Sequence, residues 1–312
     1  MDKRAAVVLA IIFGGLFAVL FGFMFLAYST VRSATGDAGL DNETRIGARI
    51  GIVEAKGVIG DGQGVDADKI IKLLKKYEKD DEIRAIVLRV DSPGGAVAPS
   101  QEIYDAVKRI KAKKKVVVSM GNLAASGGYY ISAPADKIYA EPGTLTGSIG
   151  VIFQHFNVRG LLEFAKVDET TLKSGKYKDT LSPFRPIQDT DREEIQGISD
   201  DVYGQFVKAV ADGRNIPEAK VREIAEGRIY TGRRAKELKL VDELGGMDDA
   251  LAAAWALAGQ SGDPKFQYPA HEREFSVRDL MKGAFQGAAE GVHSAVSHDA
   301  SGLQLLAPAL VK

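Results

Sequence analysis

One serine lies among small residues that would let a peptide bond approach its hydroxyl closely. Ser126 follows two alanines and precedes two glycines and two tyrosines, in the sequence AASGGYY. An apolar segment comes before this run. Ser126 is therefore predicted at or near the N-terminus of a helix, where the helix dipole and a free amide favour a developing negative charge. The pattern suits a nucleophile, and it suits equally a serine that caps a helix. It is not the Gly-x-Ser-x-Gly motif of α/β-hydrolases, because Ala124 occupies the first glycine position.

A second glycine-containing segment, DSPGG at residues 91–95, comes directly after another apolar strand-like run. Gly94 and Gly95 permit backbone conformations that are closed to other residues, and they permit a close approach of a ligand. Amides in such a turn can point at an oxygen on which negative charge develops. The alternative is a strand-to-helix turn that binds nothing.

A serine nucleophile needs a base, and the histidines are poorly placed to provide one. Three of the four lie near the C-terminus, and His155 lies in the apolar segment VIFQHF, which is typical of a structural histidine. A lysine can act as a base when burial keeps it neutral. Lys173, Lys176 and Lys178 lie within one short segment, although three lysines in a loop are also typical of a solvated surface.

Alternating apolar strands and amphipathic helices position these segments and predict an α/β fold with a mainly parallel sheet and covering helices. The longest helix of this fold, at residues 190–212, is predicted to begin with a capping box over residues 190–193. Strands are predicted at residues 50–54, 83–90, 115–120, 137–140 and 148–153, and helices at 65–80, 100–110, 123–134, 190–212 and 248–258.

The composition excludes several classes of function. The 312 residues are 45% hydrophobic and 27% charged, which is ordinary for a globular protein, and the net charge of -1 gives no reason to expect a nucleic-acid partner. The absence of cysteine excludes a cysteine nucleophile, a cysteine-ligated metal and a disulfide. The histidine spacing of zinc hydrolases and the glycine motifs that bind nucleotides are also missing.

The N-terminus predicts a membrane anchor. Residues 5–27 are uncharged and apolar, and a helix of that length crosses a hydrocarbon core of about 30 Å. Lys3 and Arg4 precede the span, so the N-terminus is predicted in the cytoplasm and the rest of the chain outside, on a single-pass protein of the cytoplasmic membrane. Residues 28–46 read as a polar linker, and residues 260–312 lack a clear pattern.

Four motifs in this order resemble those of the signal peptide peptidase A family of serine proteases, in its single-length, membrane-anchored form. The resemblance covers about residues 50–246. The motifs are DSPGG at 91–95, AASGGYYIS at 124–132, LTGSIGV at 145–151 and KSGKYKD at 173–179. The resemblance implies a ClpP/crotonase-like peptidase domain, assigned to residues 47–259, with residues 1–4 inside the cell, one transmembrane helix at 5–27, and a C-terminal extension at 260–312 without an assigned role.

The resemblance also implies a Ser/Lys dyad that requires no metal or cofactor. Carried over by position, Ser126 is the nucleophile and Lys178 is the general base, because the matching lysine directly precedes an aspartate. Ser148 matches a serine that forms a hydrogen bond with the lysine amine.

The oxyanion hole implied by the resemblance combines the amide of Gly127 with that of Gly94 or Gly95. The sequence does not decide between these two glycines.

Substrates and partners follow from the same resemblance. The family implies signal peptides left after preprotein processing, and other unfolded apolar peptides. It also implies a ring-shaped homo-oligomer, in which Ser126 and Lys178 of a chain this short come from neighbouring subunits. The alternatives are a related membrane protease of different specificity, a crotonase-type acyl-CoA enzyme, or a non-catalytic membrane scaffold.

Overall fold

The computed structural model describes residues 47–60, 62 and 64–269. The predicted anchor at residues 5–27, the linker at 28–46 and most of the C-terminal extension therefore lie outside the described residues. Within the described ranges, no helix combines the length and the apolar character needed to cross a membrane. One compact unit ends at Gln267. A second begins at Tyr268, and only residues 268 and 269 of it are described.

The described chain is built on one eight-stranded sheet. Its strands are Arg49–Lys56 (β1), Ile83–Ser92 (β2), Lys115–Ala125 (β3), Lys137–Ala140 (β4), Leu145–Gly147 (β5), Ile229–Thr231 (β6), Glu243–Leu244 (β7) and Phe266–Gln267 (β8). The order is β6-β5-β3-β2-β1-β8, while β4 pairs with the first half of β3 and with β7. All the pairs are parallel except β5 with β6, so the prediction of a mainly parallel sheet is confirmed.

Helices cover both faces of this sheet. They are Ala67–Lys79 (α1), Val97–Lys111 (α2), Gly127–Ser132 (α3), Arg159–Phe164 (α4), Asp189–Arg214 (α5), Glu218–Ile224 (α6), Gly232–Glu237 (α7) and Met247–Leu257 (α8). Alternate residues of β2 face opposite sides: Ile86 and Leu88 pack with α1, α2 and α5, whereas Ala85 and Val87 pack with α8 and its Trp255. Burial on both faces explains why these strands are apolar almost throughout.

The helix predicted at residues 123–134 is wrong over its first part. β3 continues to Ala125, and α3 covers only Gly127–Ser132. Residues 123–125 stay in the strand because they pair in parallel register with Leu145, Thr146 and Gly147 of β5. A run of small side chains gives no local sign of such long-range strand pairing. As a result, a single residue, Ser126, separates strand from helix.

The strand predicted at residues 148–153 is also wrong. β5 ends at Gly147, and Ser148 has a φ of 50°, which turns the chain out of the sheet. The Ser148 amide donates instead to the carbonyl of Arg228 (2.7 Å). Ile152 and Phe153, expected inside a strand, are exposed.

The long helix predicted at residues 190–212 is confirmed as α5, but its cap is not the predicted one. The cap residue is Gln188, and its backbone amide donates to the carboxylate of Asp191 (2.9 Å). An acidic side chain at this third helical position can satisfy the cap amide as well as the predicted Glu193 could.

We expect replacement of a single buried side chain at the centre of the sheet to destabilise the whole unit. Leu88 is fully buried, and Leu88→Ala should lower the free energy of unfolding by about 2–5 kcal/mol, through lost burial and the cavity left behind. The measurement is denaturant unfolding followed by fluorescence of Trp255, the only tryptophan. Lys72→Ala, on the exposed face of α1, is the control and should change stability by less than about 0.5 kcal/mol. Equal midpoints for Leu88→Ala and the wild type would contradict this packing.

Candidate active site

Ser126 forms a sharp turn between the end of β3 and the start of α3. Its φ of 53° and ψ of -121° lie in a region that side-chain-bearing residues rarely adopt. The turn is held by a hydrogen bond from the Ser126 amide to the carbonyl of Gly147 (2.8 Å). Strained backbone of this kind concentrates at functional sites. The geometry is that of a strand-to-helix nucleophile turn, although the sequence lacks the first glycine of the usual motif.

The Ser126 side chain does not cap the helix that it precedes. No side-chain cap bond is formed at the start of α3, and the half-buried hydroxyl has no hydrogen-bond partner among the described residues. The helix-capping alternative is therefore wrong for this serine. The hydroxyl is left available to a base and to an incoming carbonyl group.

The backbone of the DSPGG segment lies directly against this turn. A Cβ added to Gly94, whose φ is +102°, would lie 2.6 Å from the amide nitrogen of Gly127 and 2.9 Å from the Cβ of Ser126. A Cβ added to Gly127 would lie 2.7 Å from the Ser100 hydroxyl oxygen. The structure thus brings Gly94, Gly95, Ser126 and Gly127 together, and a side chain at Gly94 would separate the two turns.

The hydrogen bonds distinguish Gly94 from Gly95. The Gly94 amide donates to the buried Ser92 hydroxyl oxygen (3.1 Å), and its carbonyl accepts from the amide of Ile59 (2.9 Å). The Gly95 amide makes no hydrogen bond to a described residue. Gly127 is the first residue of α3, where an amide has no acceptor within the helix. The amides of Gly95 and Gly127 are therefore the pair left free to bind an oxyanion.

Ser148 leaves the sheet beside Ser126. Ala125 and Gly147 are register partners on neighbouring parallel strands, and each is followed directly by one of the two serines. Both serines have a positive φ, and the Ser148 hydroxyl also lacks a hydrogen-bond partner among the described residues. The two hydroxyl-bearing residues thus start from the same edge of the sheet.

Lys178 is not joined to this group within the chain. It lies in an exposed turn, where its amide donates to the carbonyl of Gly175 (3.3 Å). Its side-chain amine has no hydrogen bond or ion pair with the described residues, including Ser126 and Ser148. His155 is occupied elsewhere, since its Nε2 lies 2.8 Å from the carbonyl oxygen of Ser182.

Sequence reasoning missed two residues that shape the site. Ser92 stands inside the quoted DSPGG segment, yet only its glycines were assigned a role. Ile59 forms a bridge with Gly95, and its carbonyl accepts from the amide of Ala96 (2.9 Å). No local pattern marks Ile59, because its role depends on a contact with a distant segment.

Comparison with known families gives two overlapping matches. Peptidase family S49 matches residues 108–261, and Clp protease matches residues 57–144. The first region contains Ser126, Ser148 and Lys178, and the second contains Gly94, Gly95 and Ser126. The second match agrees with the α/β fold and its mostly parallel sheet.

Comparison with individual proteins points the same way. A candidate protease of Synechocystis sp. is 46% identical over 215 residues, which are 69% of this chain and 76% of that relative. A candidate protease of Methanocaldococcus jannaschii is 41% identical over 219 residues, covering 69% of this chain and 70% of the relative. A candidate signal peptide peptidase SppA of Enterococcus faecium is 44% identical over 179 residues, covering 57% of this chain and 52% of the relative.

We expect Gly94→Ala to suppress reaction at Ser126. The new methyl group would collide with the Gly127 amide and displace the free amide pair, so labelling by a serine-directed fluorophosphonate should slow by about 100-fold. Intact-mass spectrometry measures the labelling rate. Gly143→Ala is the matched control, because a Cβ there meets nothing within 4 Å, and it should label as the wild type does. Normal labelling of a folded Gly94→Ala protein would contradict the role of this contact.

Proposed function

Since this chain belongs to peptidase family S49, the family of the signal peptide peptidase SppA, and is a serine protease, we propose that it degrades cleaved signal peptides and other unfolded apolar peptides. The proposed mechanism is a Ser/Lys dyad that forms an acyl-enzyme. The observation that carries it is Ser126 itself, a serine with a strained backbone whose hydroxyl does not cap helix α3 and which lies against the backbone of Gly94.

The mechanism assigns each residue of the site one task. Lys178, as the neutral amine, takes the proton from the Ser126 hydroxyl while the oxygen attacks the scissile carbonyl. The amides of Gly95 and Gly127 donate to the resulting oxyanion. Lys178 then protonates the leaving amine and activates a water molecule, which hydrolyses the ester on Ser126. Ser148 holds the lysine amine by a hydrogen bond between these steps.

The surroundings of the exposed turn that contains Lys178, which we call the lysine turn, support apolar, extended substrates. We call residues 151–188 the lysine segment. Large apolar side chains of this segment are exposed, among them Leu172 at 93% and Phe164 at 87%. Such surfaces mark sites that contact peptides, proteins or membranes. Because Ser126 lies against the backbone of Gly94, an extended chain can approach its hydroxyl more closely than a folded protein can.

We place the protease at the cytoplasmic membrane, held by a single helix at residues 5–27, with its N-terminus inside and its catalytic domain outside. This assignment depends on the apolar run and the preceding positive charges of the sequence. It would bring the catalytic domain close to signal peptides, which remain in the membrane after processing.

The separation of Lys178 from Ser126 supports a site that is shared between subunits. Among the described residues of one chain the Lys178 amine has no partner, and of residues 151–188 only Thr180 is buried. A segment with so little buried surface needs another surface to cover its apolar side chains. We propose that a neighbouring copy in a ring-shaped oligomer provides that surface, and that Lys178 reaches Ser126 of that copy.

Cleavage should require both proposed catalytic residues. We expect Ser126→Ala and Lys178→Ala each to reduce cleavage of a signal-peptide-like apolar peptide by at least about 1000-fold, because nucleophile and base act together. Product formation is followed by mass spectrometry. Lys176→Ala, in the same exposed turn, is the control and should retain activity. Full activity of Lys178→Ala would remove this lysine from the mechanism.

Mixing the two inactive variants should restore activity if the site is shared. A ring that contains both Ser126→Ala and Lys178→Ala subunits has some interfaces with an intact serine and an intact lysine. We expect recovery of a substantial fraction of peptide cleavage after subunit exchange, with exchange monitored by energy transfer between labelled subunits. Exchange without recovered cleavage would mean that Ser126 and Lys178 meet within one chain.

A further inference from the structure

A charged cluster that the proposed mechanism does not use lies next to Lys178. Arg185 donates through Nε to Oδ2 of Asp179 (2.9 Å) and through Nη2 to its Oδ1 (3.1 Å). The same Nη2 also donates to the backbone carbonyl of Asp179 (3.0 Å). One guanidinium group thus fixes both the side chain and the main chain of the residue that directly follows Lys178.

The other edge of this guanidinium group reaches helix α5. Nη1 and Nη2 of Arg185 donate to the two carboxylate oxygens of Asp191 (2.5 and 3.1 Å). Asp191 in turn accepts the amide of Gln188, so it caps the helix as well. It is the only buried residue of α5 before Phe206, and this helix is described throughout. The paired, forked contacts are the strongest geometry available to an ion pair.

Charge pairing takes the place of a hydrophobic core in this part of the molecule. Hydrogen bonds from Arg185 and Lys173 hold the pKa of Asp179 at about 2, and the bond from Arg185 lowers the pKa of Asp191 as well. Both carboxylates therefore stay ionised at the pH values at which peptides would be cleaved. Thr180 is the only buried residue of the lysine segment, so apolar packing does not hold this segment in place.

The cluster links the lysine turn to the core. The second half of α5 is anchored by Phe206, Val207 and Val210, which belong to the main hydrophobic cluster. From there the connection runs along the helix to Asp191, across Arg185 to Asp179, and so to the backbone of Lys178.

We propose that Arg185 is a positioning residue for Lys178, holding the lysine turn at a fixed place relative to helix α5. The inference rests on the proposed function, in which Lys178 is the base. Because the Lys178 side chain has no partner among the described residues, its location depends on its main chain, and Arg185 fixes the main chain of the next residue, Asp179. A lysine at position 185 could keep the charge but not the forked contacts to two carboxylates.

The test is steady-state cleavage of an apolar peptide by the full chain carrying Arg185→Ala. We expect kcat to fall by about 10- to 100-fold, the loss typical of a catalytic group displaced by about 1 Å, while KM changes by less than about twofold. Added guanidinium ion should restore part of kcat by occupying the vacated place between the two carboxylates. Arg185→Lys should be intermediate.

Arg159→Ala is the matched control. Arg159 also lies in the lysine segment and also forms an ion pair, with Glu163, but both side chains are more than half exposed. This variant should keep the wild-type kcat and should not respond to guanidinium. If Arg185→Ala does not purify as a folded protein, Asp179→Asn replaces it, since it removes one anchor with little change in shape, and it should lower kcat likewise.

Three outcomes separate this inference from the proposed function. Wild-type kcat in folded Arg185→Ala would overturn the inference while leaving the dyad intact. A lower kcat that neither guanidinium nor Arg185→Lys improves would overturn it as well, because it would indicate general damage to the fold. Wild-type kcat in Lys178→Ala would instead overturn the proposed base, whatever Arg185 does.

Discussion

The site depends on one close contact between two backbones. A Cβ on Gly94 would lie 2.6 Å from the amide nitrogen of Gly127, so a side chain there would separate the two backbones. Around this contact lie Ser126, with its strained backbone, and the amides of Gly95 and Gly127, which have no acceptor among the described residues. The strain, of the order of 1–3 kcal/mol, is tolerated because the strands on both sides are fixed by the buried sheet.

A register shift in the sheet makes this contact possible. β2 and β3 run in register up to Val90 and Met120, and they resume at Ser92 and Ala124, so β3 contains extra residues at this point. Asp91 fills the gap, since its carboxylate accepts the amide of Leu123 (3.1 Å). Extra residues of this kind commonly redirect strands next to active sites. Here the shift ends both strands where their following turns can touch.

The sequence predicted the central strands and the long helix better than the end of β3 and the contacts of the site. Apolar runs and amphipathic spacing identified the central strands and helix α5, because burial imposes those patterns locally. They did not reveal that residues 123–125 continue β3, since alanine fits strand and helix alike and the pairing with β5 is long-range. The choice between Gly94 and Gly95 was equally inaccessible, because it depends on the Ser92 hydroxyl and on Ile59. No role was assigned to Arg185 from the sequence, because its contacts with Asp179 and Asp191 depend on how the chain folds between these residues.

The two halves of the proposed dyad are stabilised by different forces. Ser126 is fixed by apolar burial and backbone pairing, which persist in a single chain. The lysine turn is fixed by paired charges, while apolar side chains such as Leu172 and Phe164 around it remain exposed. Ion pairs can set a conformation without consuming apolar surface, so the segment is ordered while its apolar groups stay available for association. Order that exists before association reduces the entropy lost when a partner surface covers those groups. A turn held by paired charges is therefore well suited to carry the proposed base of a site that we propose is shared between two subunits.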